Sequence, residues 1–305
     1  MKRQQMTGNL MLIATAFIWG CAFVAQSVAM DSVGPWTFTC VRSWIAGFVL
    51  LAVIRFLDSA GLAVNDWKGA LKPGIIVGLA LTAASMLQQI GIQYTTVGKA
   101  GFITALYVVL VPIFSSLLGR KVSSRIWISA GIAAFGLYLL CMQGGFSLSQ
   151  GDFLVFLCAI AFAVHILVID SFQKVDGARM SCIQFFTVGI VTTIPMLVLE
   201  HPDLSSLLAA AGPILYAGIL SSGAGYTLQI LGQKYADPSV ASILMSLESV
   251  FSVLAGFLFL HQAMSAKELA GCALMFGAIV LAQIPEKKTA ESSAVRSRTE
   301  SEHQE

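Results

Sequence analysis

Charged residues are scarce in this sequence. Only 11% of its 305 residues are charged and 57% are hydrophobic, and the mean hydropathy is +0.81. Soluble globular chains carry about 25% charged residues. The deficit excludes an ordinary soluble domain. Together with many long uncharged runs, it predicts an all-α integral membrane protein that crosses the bilayer several times.

The sequence also lacks the motifs of ATP-driven and catalytic proteins. It contains no GxxxxGK[ST], HExxH or GxSxG segment and no CxxC pair, although it has six cysteines. The four histidines, His165, His201, His261 and His303, share no ligand spacing. We therefore expect neither an enzyme nor a protein with a metal or another cofactor.

The run from Tyr94 to Lys121 shows the membrane pattern most clearly. Twenty uncharged residues, 100–119, lie between Lys99 and Arg120. A helix of that length, at about 1.5 Å per residue, matches the hydrocarbon thickness of a bilayer. Pro112 lies in the middle of the run, where a membrane helix tolerates proline better than a soluble helix does.

Ten runs of this kind predict ten transmembrane helices. Short connections marked by Gly, Pro or charged residues separate most of them. The predicted spans are residues 9–29, 35–57, 73–93, 98–119, 126–143, 152–171, 180–199, 212–233, 239–260 and 267–284.

The second half of the chain repeats features of the first half. A polar stripe with steps of three, four and four residues occurs twice: Thr82, Ser85, Gln89 and Gln93, then Ser222, Gly225, Gln229 and Gln233. Tyr235 in the second half corresponds to Tyr94 in the first, and a polar turn and a long apolar run follow each of them. This predicts two five-helix repeats, 1–147 and 148–285, followed by a disordered cytoplasmic tail, 286–305.

The distribution of basic residues predicts the orientation. If the N-terminus is cytoplasmic, fifteen of the 18 Lys and Arg residues lie on the inner side. We therefore expect a protein of the inner (cytoplasmic) membrane with both termini in the cytoplasm. Five spans per repeat carry the chain across the membrane, so the two repeats have inverted topology. That architecture is typical of secondary transporters with a binding site at the midplane.

Counting residues from the helix ends places several polar and aromatic side chains roughly 13–21 Å deep, near the middle of the membrane. Five different helices contribute them, as a midplane cavity requires. The set is Trp19, Thr82, Ser85, Tyr107, Ser222, Tyr226 and Glu248.

Two charged residues within spans have alternative interpretations. Glu248 either binds a cationic group or carries a coupling proton, or it is a neutral, hydrogen-bonded contact between helices. Arg42 either has a structural role, reaching toward the surface or pairing with Asp31 or a helix end, or it binds a carboxylate of the substrate.

Further polar residues complete the candidate site. Trp19 and Gln26 share a helix face and suit a cavity wall. His165 is either titratable in function or a hydrogen-bonded contact between helices. Gln89 and Gln229 occupy repeat-related positions, where they serve either as gates or in helix–helix bonding.

Several segments resemble the EamA-type branch of the drug/metabolite transporter superfamily. They are IWGCAFVAQ, GPWTFTCVR ending in Arg42, the Tyr94–Pro112 stretch, SLESVF at 246–251 and AGCALMFGAIVL. The resemblance covers residues 9–284 and implies ten helices, inverted repeats, a central cavity and export of small metabolites or drugs. Residues 247–249 read Leu-Glu-Ser where the family has Leu-Glu-Pro, so the proline that kinks the family's helix is absent there.

The resulting functional hypothesis is a secondary transporter of a small metabolite or drug-like solute, working as an exporter by alternating access. The alternative is a membrane scaffold or sensor that transports nothing. The expected partners are a small-molecule substrate and membrane lipid, with a coupling proton as a further candidate. Nucleic acid is not expected, and the chain is either a monomer or a homodimer.

Overall fold

Helices form all the regular secondary structure in the described part of the chain. The structure is a computed structural model that describes residues 2–60, 66–95, 97–141, 149–252, 254 and 265–284. The α-helices are α1 Lys2–Ala29, α2 Pro35–Ser59, α3 Trp67–Ile92, α4 Val97–Ala105, α5 Tyr107–Leu117, α6 Ser124–Cys141, α7 Gln150–Ser171, α8 Gly177–Pro195, α9 Leu204–Ala209, α10 Ala211–Leu215, α11 Tyr226–Gln233, α12 Pro238–Met245 and α13 Ala266–Gln283. Two π-helical segments are Met196–Glu200 and Tyr216–Gly225.

Seven helical stretches in the described residues are long and apolar enough to cross a membrane. Two shorter apolar helices, Ser124–Leu139 and Leu269–Ala282, coincide with two more of the predicted spans. Of the predicted ninth span, residues 239–252 and 254 are described. The rest of that span and the tail 286–305 lie outside the described residues. The described residues are thus all-helical with seven candidate membrane spans, as expected for a multi-pass membrane protein.

Several of the predicted spans differ from continuous α-helices. The span predicted at 98–119 is interrupted at Leu106, whose backbone N–H bonds to Ile103 O in a tight turn. The span predicted at 212–233 passes through the long π-helical segment. In the described part of the ninth span, a turn at 246–247 separates α12 from helical residues 248–252. Sequence periodicity locates a membrane span but not a local change in its hydrogen bonding.

Helices from the two halves of the chain pack directly on one another. The most extensive pairings are α2 with α8, α3 with α7 and α8, and α6 with α13. Large apolar side chains on the outside of the bundle remain exposed, among them Phe17, Phe48, Leu197 and Val280. Lipid-facing helices in a bilayer have such an apolar exterior.

Charged contacts join helix ends at one end of the bundle. Arg179, only 1% exposed, pairs with Asp58 at the end of α2 and, at 2.9 Å, with Asp176 before α8. Its guanidinium also lies over the Trp67 ring, 5.5 Å from the centroid. A second pair, Arg120 with Asp170, joins the α5–α6 connection to α7.

At the opposite end, Glu200 connects α8 to α2. Its carboxylate accepts hydrogen bonds from the backbone N–H groups of Trp36 and Thr37, at 2.9 and 2.7 Å. The first N–H groups of a helix have no partner within the helix, and the helix dipole favours a negative charge there. Glu200, the last residue of the π-helical segment after α8, thus caps the N-terminus of α2.

Candidate functional site

A small polar cavity lies inside the helix bundle. Its volume is about 30 Å³. That is enough for about two water molecules, at about 10–15 Å³ of such volume each. Its lining comprises Trp19, Ala22, Phe23, Gln26, Arg42, Gln88, Thr104, Tyr107, Phe162, Ser221, Tyr226 and Glu248.

Glu248 is the acidic residue of the cavity lining. It is 4% exposed, and its Oε1 accepts a 2.9 Å hydrogen bond from the Tyr107 hydroxyl. Among the described residues, no Lys or Arg lies within ion-pair distance of it. Gly20 lets α1 approach this position closely, because a Cβ at Gly20 would lie 2.7 Å from the Glu248 carbonyl oxygen. Tyr107 and Glu248, which share this hydrogen bond, each follow an interruption of a helix. Tyr107 begins α5 after Leu106, and Glu248 begins the helical stretch after the turn at 246–247.

Arg42 supplies the positive charge. It is 5% exposed, and its guanidinium lies 5.2 Å from the centroid of the Phe38 ring. In the described part of the chain it forms no ion pair, and Asp31, one partner considered from the sequence, is exposed. The cavity is therefore bordered by one cation and one carboxylate that do not neutralise each other by contact.

Aromatic rings form one wall of the site. The Trp19 and Tyr226 rings lie 4.5 Å apart, and Trp19 Nε1 donates a hydrogen bond to Ser221 O at 3.2 Å. His165 lies behind Tyr226, with ring centroids 6.0 Å apart, and does not line the cavity. Its Nε2 contacts Gln184 Oε1 at 3.1 Å, which favours a structural contact between helices.

Gln26 contributes an unused hydrogen-bond acceptor to the cavity. The residue is 5% exposed, and its Oε1 has no partner among the described residues. Buried polar groups in proteins normally have partners, so an acceptor of this kind at a cavity indicates a place for a bound donor. Gln89 lies next to it, with Nε2 donating to Gln26 O at 3.5 Å, and serves in helix–helix bonding.

Half of the predicted site residues lie outside the lining. Thr82 donates to Gly78 O in its own helix, at 2.8 Å. Ser222 and Gln229 are buried, and an oxygen of each has no partner among the described residues. The full set outside the lining is Thr82, Ser85, Gln89, His165, Ser222 and Gln229, whereas Trp19, Gln26, Arg42, Tyr107, Tyr226 and Glu248 line the cavity.

Sequence reasoning missed the polar lining residues Gln88, Thr104 and Ser221. Gln88 Nε2 donates to Thr104 Oγ1 at 3.2 Å, on the side of the cavity formed by α3 and α4. Gln88 follows Ser85 by three residues and Thr104 precedes Tyr107 by three, so extending the helical spacing by one step finds both. Ser221 lines the cavity in the π-helical segment, where ordinary spacing fails.

The structure is a bundle of apolar helices with a small polar cavity inside it, an architecture typical of membrane transporters. The chain belongs to the EamA-like transporter family, whose model matches residues 6–142 and 149–283. The resemblance stated from the sequence is thereby confirmed.

Several proteins are similar to the chain over most of its length. An uncharacterized transporter of Archaeoglobus fulgidus is 28% identical, covering 92% of this chain and 87% of its own. The uncharacterized transporter YwfM of Bacillus subtilis is 26% identical, covering 94% and 99%. Protein PecM of Dickeya dadantii is 26% identical, covering 87% and 89%. A solved crystal structure shares the fold with a TM-score of 0.74, at 20% identity over 91% of this chain and 96% of its own.

Proposed function

We propose that this protein is a secondary transporter that exports a small metabolite or drug-like solute across the cytoplasmic membrane by alternating access. The observation that carries the proposal is the central cavity. The basic Arg42 and the acidic Glu248 face it, neither has an ion-pair partner among the described residues, and Gln26 adds an unpartnered acceptor. Buried charges without partners are costly, so the site suits a polar solute, or a proton on Glu248.

The proposed architecture is ten helices in two inverted five-helix repeats, 1–147 and 148–285. Two separate matches to one family model support it. The helix breaks support it as well, because the residues that follow them, Tyr107 and Glu248, are 141 residues apart, as are Tyr94 and Tyr235. With both termini cytoplasmic, as the basic residues predict, reporter fusions at either end should give the cytoplasmic signal.

The small size of the cavity supports alternating access. At about 30 Å³ it is far below the roughly 300–1,000 Å³ of pockets that bind small molecules. A solute therefore needs the helices around the cavity to separate on one side at a time. In this view Arg42 contacts an anionic group of the solute and Glu248 a cationic group or the coupling proton, and the cavity serves passage rather than catalysis.

The direct test is transport by purified protein in liposomes. A panel of labelled anionic, cationic, zwitterionic and neutral solutes should contain one that accumulates under a proton gradient and raises the melting temperature of the protein. Vesicles of known orientation give the direction. If no solute moved and none stabilised the protein, the transport proposal would be wrong and a scaffold or sensor would remain.

The variant Glu248→Gln tests whether transport needs the Glu248 side chain to ionise or only to accept a hydrogen bond. The amide keeps the size of the side chain and can still accept the Tyr107 hydrogen bond, but it cannot ionise. We expect gradient-driven transport to be lost. Asp31→Asn, at an exposed carboxylate away from the cavity, should leave transport unchanged. Unchanged rate and pH dependence in Glu248→Gln would exclude Glu248 as the proton carrier.

A further inference from the structure

A second, larger cavity opens at the end of the bundle where Arg120 pairs with Asp170. Its volume is about 300 Å³, and it lies between the α5–α6 connection, α12 and the end of α13. Three cations line it, Arg120, Lys121 and Arg125, together with the polar side chains of Gln5 and Ser123. It shares no lining residue with the central cavity.

The backbone after α5 presents these cations. Gly119 has φ +78°. Gly119 N–H bonds to Ser116 O and Arg120 N–H to Ser115 O, both at 3.0 Å, which is the Schellman arrangement that ends a helix. The chain then turns through Arg120 and Lys121 before α6 begins at Ser124. The position of the basic residues is thus fixed by backbone geometry.

The positive charge in this cavity is only partly neutralised. Arg120 pairs with Asp170, and the carboxylate of Asp237, which also lines the cavity, accepts a 2.8 Å hydrogen bond from Ser239 N–H. Lys121 is exposed and has no ion-pair partner among the described residues. Arg125 Nε is buried and has no hydrogen-bond partner there either. The cavity therefore presents two cations and an unused donor.

Exposed apolar residues adjoin the basic cavity. Leu117 and Leu118, which precede the cations, are 78% and 67% exposed, and Ile284 in the lining is 48% exposed. A molecule that fits the exposed apolar residues and the basic cavity together carries an acyl chain for the first and a phosphate for the second. Basic pockets between membrane helices bind anionic lipid headgroups in this way.

We propose that this cavity binds the phosphate of an anionic phospholipid headgroup, with Lys121 and Arg125 as its principal contacts. The lipid then lies at the junction of α5, α6, α12 and α13, next to the Arg120–Asp170 pair. It is a binding site separate from that of the transported solute.

The test uses the full-length protein in nanodiscs of phosphatidylcholine with increasing phosphatidylglycerol. Native mass spectrometry counts the retained phosphatidylglycerol, and thermal unfolding measures the stabilisation. We expect the double variant Lys121→Gln/Arg125→Gln to need roughly thirtyfold more phosphatidylglycerol for the same stabilisation, because both cations that contact the headgroup in the cavity are lost.

The matched control is Lys68→Gln/Lys72→Gln, which removes two exposed cations near the start of α3 and should behave like the unmodified chain. Unfolding in pure phosphatidylcholine checks that each variant is folded, and Lys121→Gln alone serves if the double variant is not. Equal binding of the two lipids, or retained preference in the double variant, would overturn the proposal. Stabilisation by inorganic phosphate without any lipid preference would overturn the lipid assignment.

Discussion

The Tyr107 hydroxyl donates a 2.9 Å hydrogen bond to Glu248 Oε1, across 141 residues of sequence. Each residue begins a helical stretch after a break, one in each half of the chain. The bond therefore joins the two halves at the wall of the central cavity. It also makes Tyr107 the only hydrogen-bond partner of the Glu248 carboxylate found among the described residues.

Tyr107→Phe should destabilise the protein and impair transport. The ring volume is conserved, so the change removes one donor and leaves a buried carboxylate oxygen unsatisfied, which costs about 1–3 kcal/mol. Thermal unfolding in detergent measures the loss. Tyr138→Phe is the control, because Tyr138 is 43% exposed and should change stability little. Equal stability of the two variants would show that the Tyr107–Glu248 bond contributes nothing.

Arg179→Met should destabilise the bundle strongly. Arg179 is 1% exposed and holds two carboxylates, and removing one partner of a buried ion pair costs about 3–5 kcal/mol. Asp58 and Asp176 are 19% and 29% exposed, so water can solvate them and the loss should lie near the lower figure. Unfolding in sodium dodecyl sulfate measures it. Arg55→Met, at an exposed position of α2, should change stability by less than about 0.5 kcal/mol.

Glu200→Gln should weaken the start of α2. The amide retains one acceptor oxygen for the N–H groups of Trp36 and Thr37 but loses the charge that the helix dipole favours, so we expect a loss of about 1 kcal/mol. The rate of amide hydrogen exchange at the N-terminus of α2 should increase. Asp31→Asn, an exposed carboxylate at the same end, should leave that exchange unchanged.

Gly119→Ala and Gly131→Ala should have opposite effects. Neither added Cβ meets a neighbour within 4 Å, so only backbone conformation differs. Gly119 has φ +78°, where alanine costs about 1 kcal/mol or more. Gly131 lies within α6, where alanine is favoured by up to about 1 kcal/mol. Thermal unfolding of both variants tests this, and a stabilised Gly119→Ala would contradict it.

The loop after Glu200 should lose stability in acid. Hydrogen bonds from the Ser205 hydroxyl and Ser206 N–H lower the pKa of Asp203 to about 2, below the usual value of an aspartate. A carboxyl with a lowered pKa in the folded state stabilises above its unfolded pKa, and that contribution disappears as the pH falls toward 2. Melting temperatures between pH 5 and 2 should fall less steeply for Asp203→Asn than for the unmodified chain. Parallel curves would contradict the prediction.

Much of the fold is predictable from the sequence because hydrophobic length and charge distribution determine where a chain crosses a bilayer. The helix breaks are not. Ser249 replaces the proline of the family motif, yet a turn still occurs at 246–247, so the break does not depend on that proline. The interruption at Leu106 precedes Pro112 by six residues and likewise has no sequence signal of its own.

For the site, counting residues from the helix ends predicts how deep a side chain lies in the membrane but not which way it points. Trp19, Tyr107, Tyr226 and Glu248 line the central cavity, whereas Ser222, for which counting gives the same depth, does not. Its segment is π-helical, with more residues per turn than an α-helix, so ordinary helical spacing projects its side chains in the wrong directions.

The π-helical segment also bears on how sequence variation is tolerated. Trp19 and Thr15 bind the carbonyl oxygens of Ser221 and Gly225, and not their side chains. A main-chain acceptor persists whatever residue supplies it. Saturation mutagenesis should therefore leave position 221 permissive to small replacements while positions 15 and 19 stay intolerant, an asymmetry between the two sides of a single contact.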